Sequence, residues 1–390
     1  MDLLHGLASL GHRIDCYFPG DEHELPDRLG HDNITVIWGR SGWRWGRWYS
    51  KTRFTATASQ IVFRIFASLR LRRVLARRHT ESPYDVSYEF AMVENLASPA
   101  SLRRAVPMVV HPETHSAGEL KSLLAERRLS LRCQPLHTLI LAVLVLCVRT
   151  VVQRQRIRSA DLLVCISSVF RDHMVRDYGF PPARTVVVPN PVRLERFDEL
   201  EPAPEHPPTV LVLGRIAARK GIDDVVAIAK LLLARGVDAR FRIVGGTSLW
   251  SNYVKLLDDL PEENSEYVGR VDSSRVPAEL AGSDVLLQAS KYEPFALTVG
   301  EALAAGIPVV ATTEVGAVEG VDAAVASVAQ PGDVEAMAAA LTSTLERMKA
   351  NRAEIAALAR AEAERLFAPA VVCGQISDAL EQLIDARRTS

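Results

Sequence analysis

Short runs of apolar and β-branched residues recur along this chain, and stretches of helical periodicity fill the intervals between them. In the second half the runs are 209–214 (TVLVLG), 241–246 (FRIVGG), 267–271 (YVGRV), 284–289 (DVLLQA) and 307–311 (IPVVA). They are near-continuous rather than alternating, so they predict strands buried on both faces, as in a parallel sheet covered by helices. The first half repeats the scheme less regularly. Residues 3–12 (LLHGLASLGH) predict a helix closed by Gly11, followed by a strand at 13–18 (RIDCYF). Further strands are predicted at 83–88 (PYDVSY), 106–110 (VPMVV), 185–190 (TVVVPN) and within 158–167 (RSADLLVCIS). Residues 196–208 are polar and acidic, with four prolines from Pro202 onward, which marks a linker. Beyond Val334 the pattern is helical to the end. The fold class expected is therefore α/β with parallel sheets: a Rossmann-like unit over 1–195, a linker, and a second unit over 209–365. Residues 366–390 are expected to form a last helix. The chain opens on a helix rather than a strand, and the missing first strand is expected upstream of Met1.

Composition refines this picture in three places. A chain of 390 residues with 48% hydrophobic and 24% charged positions has room for two globular cores. Its net charge of −1 conceals an asymmetry, because residues 1–194 hold 27 Lys and Arg against 17 Asp and Glu, and the remainder is acidic. Five cysteines without a C-x-x-C pair, and an opening MDLLHGLASLGH without a charged n-region and long apolar core, predict reduced thiols in a cytoplasmic protein.

Two segments bear on membranes. Residues 139–148 (LILAVLVLCV) are apolar but too short to span a bilayer, so a buried core helix is expected ahead of an interfacial one. Residues 40–78 contain eleven Lys and Arg and no acidic residue, with Trp43, Trp45, Trp48 and Tyr49 interleaved among Arg44, Arg47, Lys51 and Arg53. Such a mixture suits an anionic membrane surface, with 61–78 as an amphipathic helix, or equally a solvated basic helix packed on its own sheet. No recognition motif accompanies the charge, so nucleic acid is not an expected partner.

The stretch that carries chemistry is 291–312 (KYEPFALTVGEALAAGIPVVAT), where Glu293 and Glu301 flank the start of a helix between two strands. Thr298 and Glu301 have the spacing of a capping box, and Gly306 with Pro308 supplies the stop. Glu293 lies before a proline in a loop at the carboxyl end of a strand, where open α/β sheets bind phosphates and riboses. Upstream, the strand 209–214 ends in Gly214-Arg215, with Lys220-Gly221 at the mouth of a helix beginning near Ile222. Two cations beside a helix N-terminus form an anion site. His111 and His115 do not have the H-E-x-x-H pattern and Pro112 lies between them, so no metal site is expected.

The E-P-F-A-L-T and E-A-L-A-A-G-I-P-V-V-A-T segments together resemble the E-x7-E signature of the retaining GT-B glycosyltransferases of family GT4. The resemblance implies two facing Rossmann-like domains with a cleft between them, a last helix over 366–390 crossing back to the first of them, and a nucleoside diphosphate sugar as co-substrate. It implies that Glu293 contacts the donor sugar, that Glu301 holds the ribose hydroxyls, and that amides of Phe295, Ala296, Leu297, Thr298 and Val299 meet the diphosphate. Arg215 and Lys220, after Gly214, would neutralise that diphosphate without a metal, and Gly269 and Arg270 would border the base. His111, after the strand 106–110, would lie near the sugar. A cofactor is not implied. The acceptor would be a glycan, a lipid or a small molecule, and a basic surface at 40–78 would place the protein on the inner face of the plasma membrane. Two other readings share the donor site: a GT-B-type nucleotide-sugar epimerase, and a non-catalytic nucleotide-sugar-binding or assembly protein at the membrane. Asn190-Pro191 departs from the Asn-Gly usual in the family, because Pro191 cannot take positive φ.

Overall fold

The computed structural model describes residues 2–21, 30–44, 47, 53–90, 100–200, 207–247 and 252–389. In the first half the elements are α1 (Asp2–Ser9), β1 (Ile14–Phe18), β2 (Ile34–Trp38), α2 (Arg53–Glu81), β3 (Ser87–Phe90), α3 (Ala100–Ala105), β4 (Met108–His111), α4 (Ser116–Ala125), α5 (Arg127–Cys133), α6 (Leu136–Arg158), β5 (Leu162–Cys165), α7 (Ser168–Tyr178) and β6 (Thr185–Val187). In the second they are β7 (Thr209–Leu213), α8 (Ile222–Ala234), β8 (Arg240–Val244), β9 (Ser265–Gly269), α9 (Val276–Ala281), β10 (Val285–Gln288), α10 (Leu297–Ala304), β11 (Val309–Thr312), β12 (Ala326–Ala329), α11 (Val334–Phe367) and α12 (Pro369–Arg388).

Every described ladder is parallel. The second half forms one six-stranded sheet in the order β12-β11-β10-β7-β8-β9. Its switch of direction lies between β7 and β10, and the loops leaving their carboxyl ends open toward the other half. The strands of β7 and β10 are buried along their whole length, as their unalternating sequence requires. In the first half the strands divide into a two-stranded sheet, β1-β2, and a four-stranded sheet, β3-β4-β5-β6.

The halves share a core. Phe170, Met174 and Tyr178 of α7 belong to the same apolar cluster as Phe295, Val299, Leu303 and Phe367. The chain returns through α12, where Val372, Cys373, Ile376 and Leu380 cluster with Leu3, Leu7, Val109 and Val164. Arg387 and Arg388 at its end face Asp161 and Asp85.

Two helices of the first half leave apolar residues on the surface, α2 through Val62, Phe66 and Leu69, and α6 more extensively. α2 packs on its own small sheet: Ala67 and Leu71 are buried against Gly39, and Arg78 pairs with Asp15 of β1 at 3.0 Å. α6 corrects the expectation of a buried core helix at 139–148. Of its 23 residues only Leu139, Ala142, Gln153 and Ile157 are buried, while Leu136, Ile140, Leu144, Val148 and Val151 lie on the surface. The apolar run was long enough to cover the whole circumference of a helix, and the domain offered packing to one side alone. Of the basic aromatic stretch, Trp45, Trp48, Tyr49 and Lys51 lie outside the described residues. Trp43 is half-buried and donates its indole N–H to Ser59 at 2.9 Å.

Candidate active site

The site is built from three loops at the carboxyl ends of β7, β9 and β10. After β7 the chain turns through Gly214 and a short 3-10 turn (Ala218–Lys220) into α8. Gly221 takes φ +65 there, and a Cβ on it would collide with the carbonyl of Ala289 just past β10. Glycine at this position therefore lets the two loops meet, and the meeting places Lys220 and Arg219 beside Glu293. The Glu293 carboxylate, buried, is paired with Lys220 Nζ and with Arg219 Nη1 at 2.7 Å. Burial alone would raise its pKa, but the two cations bring it down to about 2. The pKa of the Lys220 ammonium is lowered too, by burial, against the pull of Glu293. Two positive groups thus surround one negative group in a dry corner, leaving a local excess of positive charge of the kind that holds a phosphate.

Arg219 was not among the residues singled out in the sequence, although it adjoins Lys220. Its guanidinium also donates to the carbonyl of Tyr292 at 3.1 Å, clamping the start of the Glu293 loop. Arg215 is exposed at the mouth of the site, and Arg270 is exposed on the far side, beyond Gly269.

The capping box expected for α10 is absent. The helix begins at Leu297, its N-cap is Ala296 with φ 78, and no side chain caps it. Thr298 instead accepts a hydrogen bond from Gln288 Nε2 at 2.5 Å, tying the helix to the end of β10. A non-glycine residue in the left-handed region costs about 1–2 kcal/mol, and such strain is retained where the surroundings fix it. Here they do: Gly316 N–H donates to the Glu293 carbonyl, and Ala317 N–H to the Phe295 carbonyl at 2.8 Å. The consequence is a helix N-terminus without a side-chain cap, whose N-cap follows Glu293 in the same loop.

Glu301 faces a different partner. Arg196, 105 residues away, donates from Nη1 to Glu301 at 3.2 Å and from Nη2 to the carbonyl of Ser273 at 2.5 Å. Burial raises the pKa of Glu301 despite that guanidinium. These groups line a cavity of about 370 Å³ with Val192, Phe197 and Leu297, which falls in the size range of small-molecule sites. Arg196 stands within the segment read as a linker, and no local signal marks it.

His111 ends β4. It is buried, its Nδ1 lies 2.6 Å from the Tyr88 hydroxyl, and burial lowers its pKa to about 4. None of its hydrogen-bond or ring partners among the described residues belongs to the second half. His115 is the histidine that reaches across: its Nδ1 lies 2.7 Å from the hydroxyl of Tyr292, next to Glu293. Gly118 permits the approach, since a Cβ there would overlap both Tyr292 and His115. His115, His173 and Asp177 bring ligand-type atoms within 4.8 Å of one another. Asp177 is paired with Lys121 and Arg176, however, and Arg176 donates to His173 at 2.6 Å. The group reads as an ion-pair network that fastens the cleft, along with Ser167 donating to the Pro294 carbonyl at 2.8 Å.

Comparison with known proteins gives this geometry a family. Sucrose-phosphate synthase from Thermosynechococcus elongatus has the same fold, with a TM-score of 0.69 at 19% identity over 99% of this chain and 92% of that one. The chain is 28% identical over 173 residues to mannosylfructose-phosphate synthase of Agrobacterium fabrum, covering 40% of this chain and 38% of that protein. It is 29% identical over 198 residues to glycogen synthase of Mycobacterium tuberculosis, covering 49% of this chain and 47% of that protein. The chain thus spans less than half the length of these two relatives. Residues 1–196 match the family described as Glycosyltransferase Family 4, and residues 195–360 that described as Glycosyl transferases group 1. With matches that together run from Met1 to Arg360, on an α/β fold of parallel sheets, the chain belongs to the GT4 family of retaining GT-B glycosyltransferases.

Proposed function

We propose that this chain transfers a sugar from a nucleoside diphosphate sugar to an acceptor hydroxyl, with retention of configuration. The observation that carries the reading is the buried Lys220–Glu293–Arg219 cluster in the loop that leads into α10, the helix whose Leu297 and Glu301 line a cavity. Glu301 would accept the ribose hydroxyls, which requires Arg196 to release it. Glu293 would orient the sugar, with His111 contributing from the first half.

In the transfer, the bond between the anomeric carbon and the diphosphate oxygen breaks and a bond from the acceptor oxygen forms on the same face. The acceptor proton passes to the leaving phosphate oxygen. Negative charge grows on the diphosphate as the bond breaks, and Lys220, Arg215 and the amides of Leu297 and Thr298 stabilise it by preorganised positive charge. The chain's own cations supply this stabilisation in the proposed mechanism, without a metal. The basic first half supports a cytoplasmic enzyme working at a membrane, on a lipid-linked or cell-envelope acceptor.

Calorimetric titration with UDP, GDP and ADP, followed by the matching sugar nucleotides, tests the reading. Micromolar binding of one base, with release of that nucleotide on adding an acceptor extract, is the expected result. If no nucleotide binds, or if binding of the diphosphate is the same in Lys220→Ala, the proposed donor site is wrong.

A further inference from the structure

The exposed face of α6 is apolar where a surface helix is ordinarily polar. Leu136, Ile140, Leu144, Cys147, Val148 and Val151 all point outward, five of them between 51% and 64% exposed. Their spacing follows one side of a 3.6-residue helix for about 22 Å. Leu131 of α5 extends the strip at 51% exposure. Isolated exposed leucines are ordinary, but a continuous strip of this length marks an interaction surface.

The charge around the strip indicates what covers it. Residues 127–158 contain seven arginines and no acidic residue. Arg127, Arg128 and Arg132 stand exposed before the strip, and Arg154 and Arg158 after it. We propose that this face of α6 docks on an anionic lipid bilayer, with the strip at the acyl boundary and the arginines at the phosphates. A second copy of the chain fits less well. Pairing the strip with itself in either direction brings basic ends against basic ends, and about six side chains is far below the 20–30 residues a side of a stable interface.

The helix lies on the surface rather than spanning it, although it is long and apolar enough to cross a membrane. Gln153 fixes its inner face to the domain: it accepts from Ser116 N–H at 2.8 Å and from the Tyr178 hydroxyl at 2.6 Å, and donates to the Thr114 carbonyl. Arg156 adds an ion pair with Glu89 at 2.7 Å. Withdrawing α6 to span would strip these groups of partners. The docking surface is also distinct from residues 40–78, and it does not depend on the donor site, since it is argued from α6 alone.

The exposed thiol Cys147 provides the probe, because the other four cysteines are partly or fully buried. The full chain labelled there with an environment-sensitive fluorophore is mixed with vesicles of phosphatidylcholine, alone or with about a third phosphatidylglycerol. The expected result is a blue shift with the anionic vesicles that weakens in high salt. In the variant Ile140→Ser, Leu144→Ser, Val148→Ser, the partition constant should fall at least about ten-fold. Nucleotide titration of that variant should match the parent, which establishes that it folds and separates this proposal from the donor reading. Three results would overturn it: no vesicle binding, vesicle binding with the probe still in water, or a blue shift without vesicles that grows with protein concentration.

Discussion

In the second half, one continuous six-stranded sheet delivers its loops to the site, where Glu293 is buried and paired with Lys220 and Arg219, and the part-buried Glu301 is paired with Arg196. In the first half, two separate sheets carry the chain, its buried polar groups at the cleft include His115 with Asp177 and Ser130 with Tyr253, and much of its apolar surface faces outward on α6. The contrast follows from what each half is proposed to hold. A nucleoside diphosphate has fixed charge and hydroxyl positions, so its site gains from rigid, desolvated, preorganised partners. A bilayer or a variable acceptor has no fixed geometry, and a broad apolar and basic face is enough to meet it.

The largest test of this contrast is Lys220→Ala. Removing one preorganised cation from a developing charge costs about a hundred- to a thousand-fold in turnover. Transfer measured with saturating donor should fall by that factor, and diphosphate affinity should fall more than nucleoside affinity. Loss of both affinities alike would place Lys220 in a structural role.

Each half also carries its own acid lability. His111 has a folded pKa of about 4, below its ordinary 6.5, so the unfolded chain takes up the extra proton and stability falls between pH 6.5 and 4. Glu293 has a folded pKa of about 2, below its ordinary 4.5, so its contribution is complete above pH 4.5 and is lost as pH falls toward 2. Urea midpoints measured from pH 7 to 3 should show a flattened upper window in His111→Gln and a flattened lower window in Glu293→Gln. Identical slopes in parent and variants would remove these groups as the source.

A smaller effect is expected from Glu301→Ala. A hydrogen bond to a charged group contributes about 1.5–3 kcal/mol, so nucleoside affinity should drop roughly ten- to a hundred-fold by calorimetry. Stability should change by less than about 1 kcal/mol, because the Arg196 pair is partly open to solvent. The smallest is Ala296→Gly, which relieves the positive φ at the start of α10 and should raise stability by about 0.5–1 kcal/mol in thermal unfolding. Destabilisation would mean that the Ala296 side chain, which is buried, contributes more by packing than its backbone costs.

Much of the second half was legible because its signals are local. Continuous β-branched runs identify buried parallel strands, and a cation or carboxylate directly after such a run lies at the sheet's carboxyl edge. Glu293, Lys220 and Gly221 were found in that way. Arg196 was not, since its partnership with Glu301 joins residues 105 apart and exists only when the two halves close. The Thr298–Glu301 spacing misled for a related reason. A capping box competes with any other partner within reach, and folding brought Gln288 to Thr298 and Arg196 to Glu301. On α6, composition was legible and orientation was not, because a helix apolar on all sides has no periodicity to say which side is covered.

The sequence by itself determined the α/β alternation, the parallel sheets and the placement of charge at strand ends, because these depend on side-chain type and short-range spacing. The tertiary structure decided that Arg219 and Lys220 share Glu293, that His115 rather than His111 reaches Tyr292, and that the apolar face of α6 is left uncovered. Those outcomes depend on which surfaces approach one another after the strands have assembled. They are settled by long-range packing and desolvation, which no local window of sequence contains.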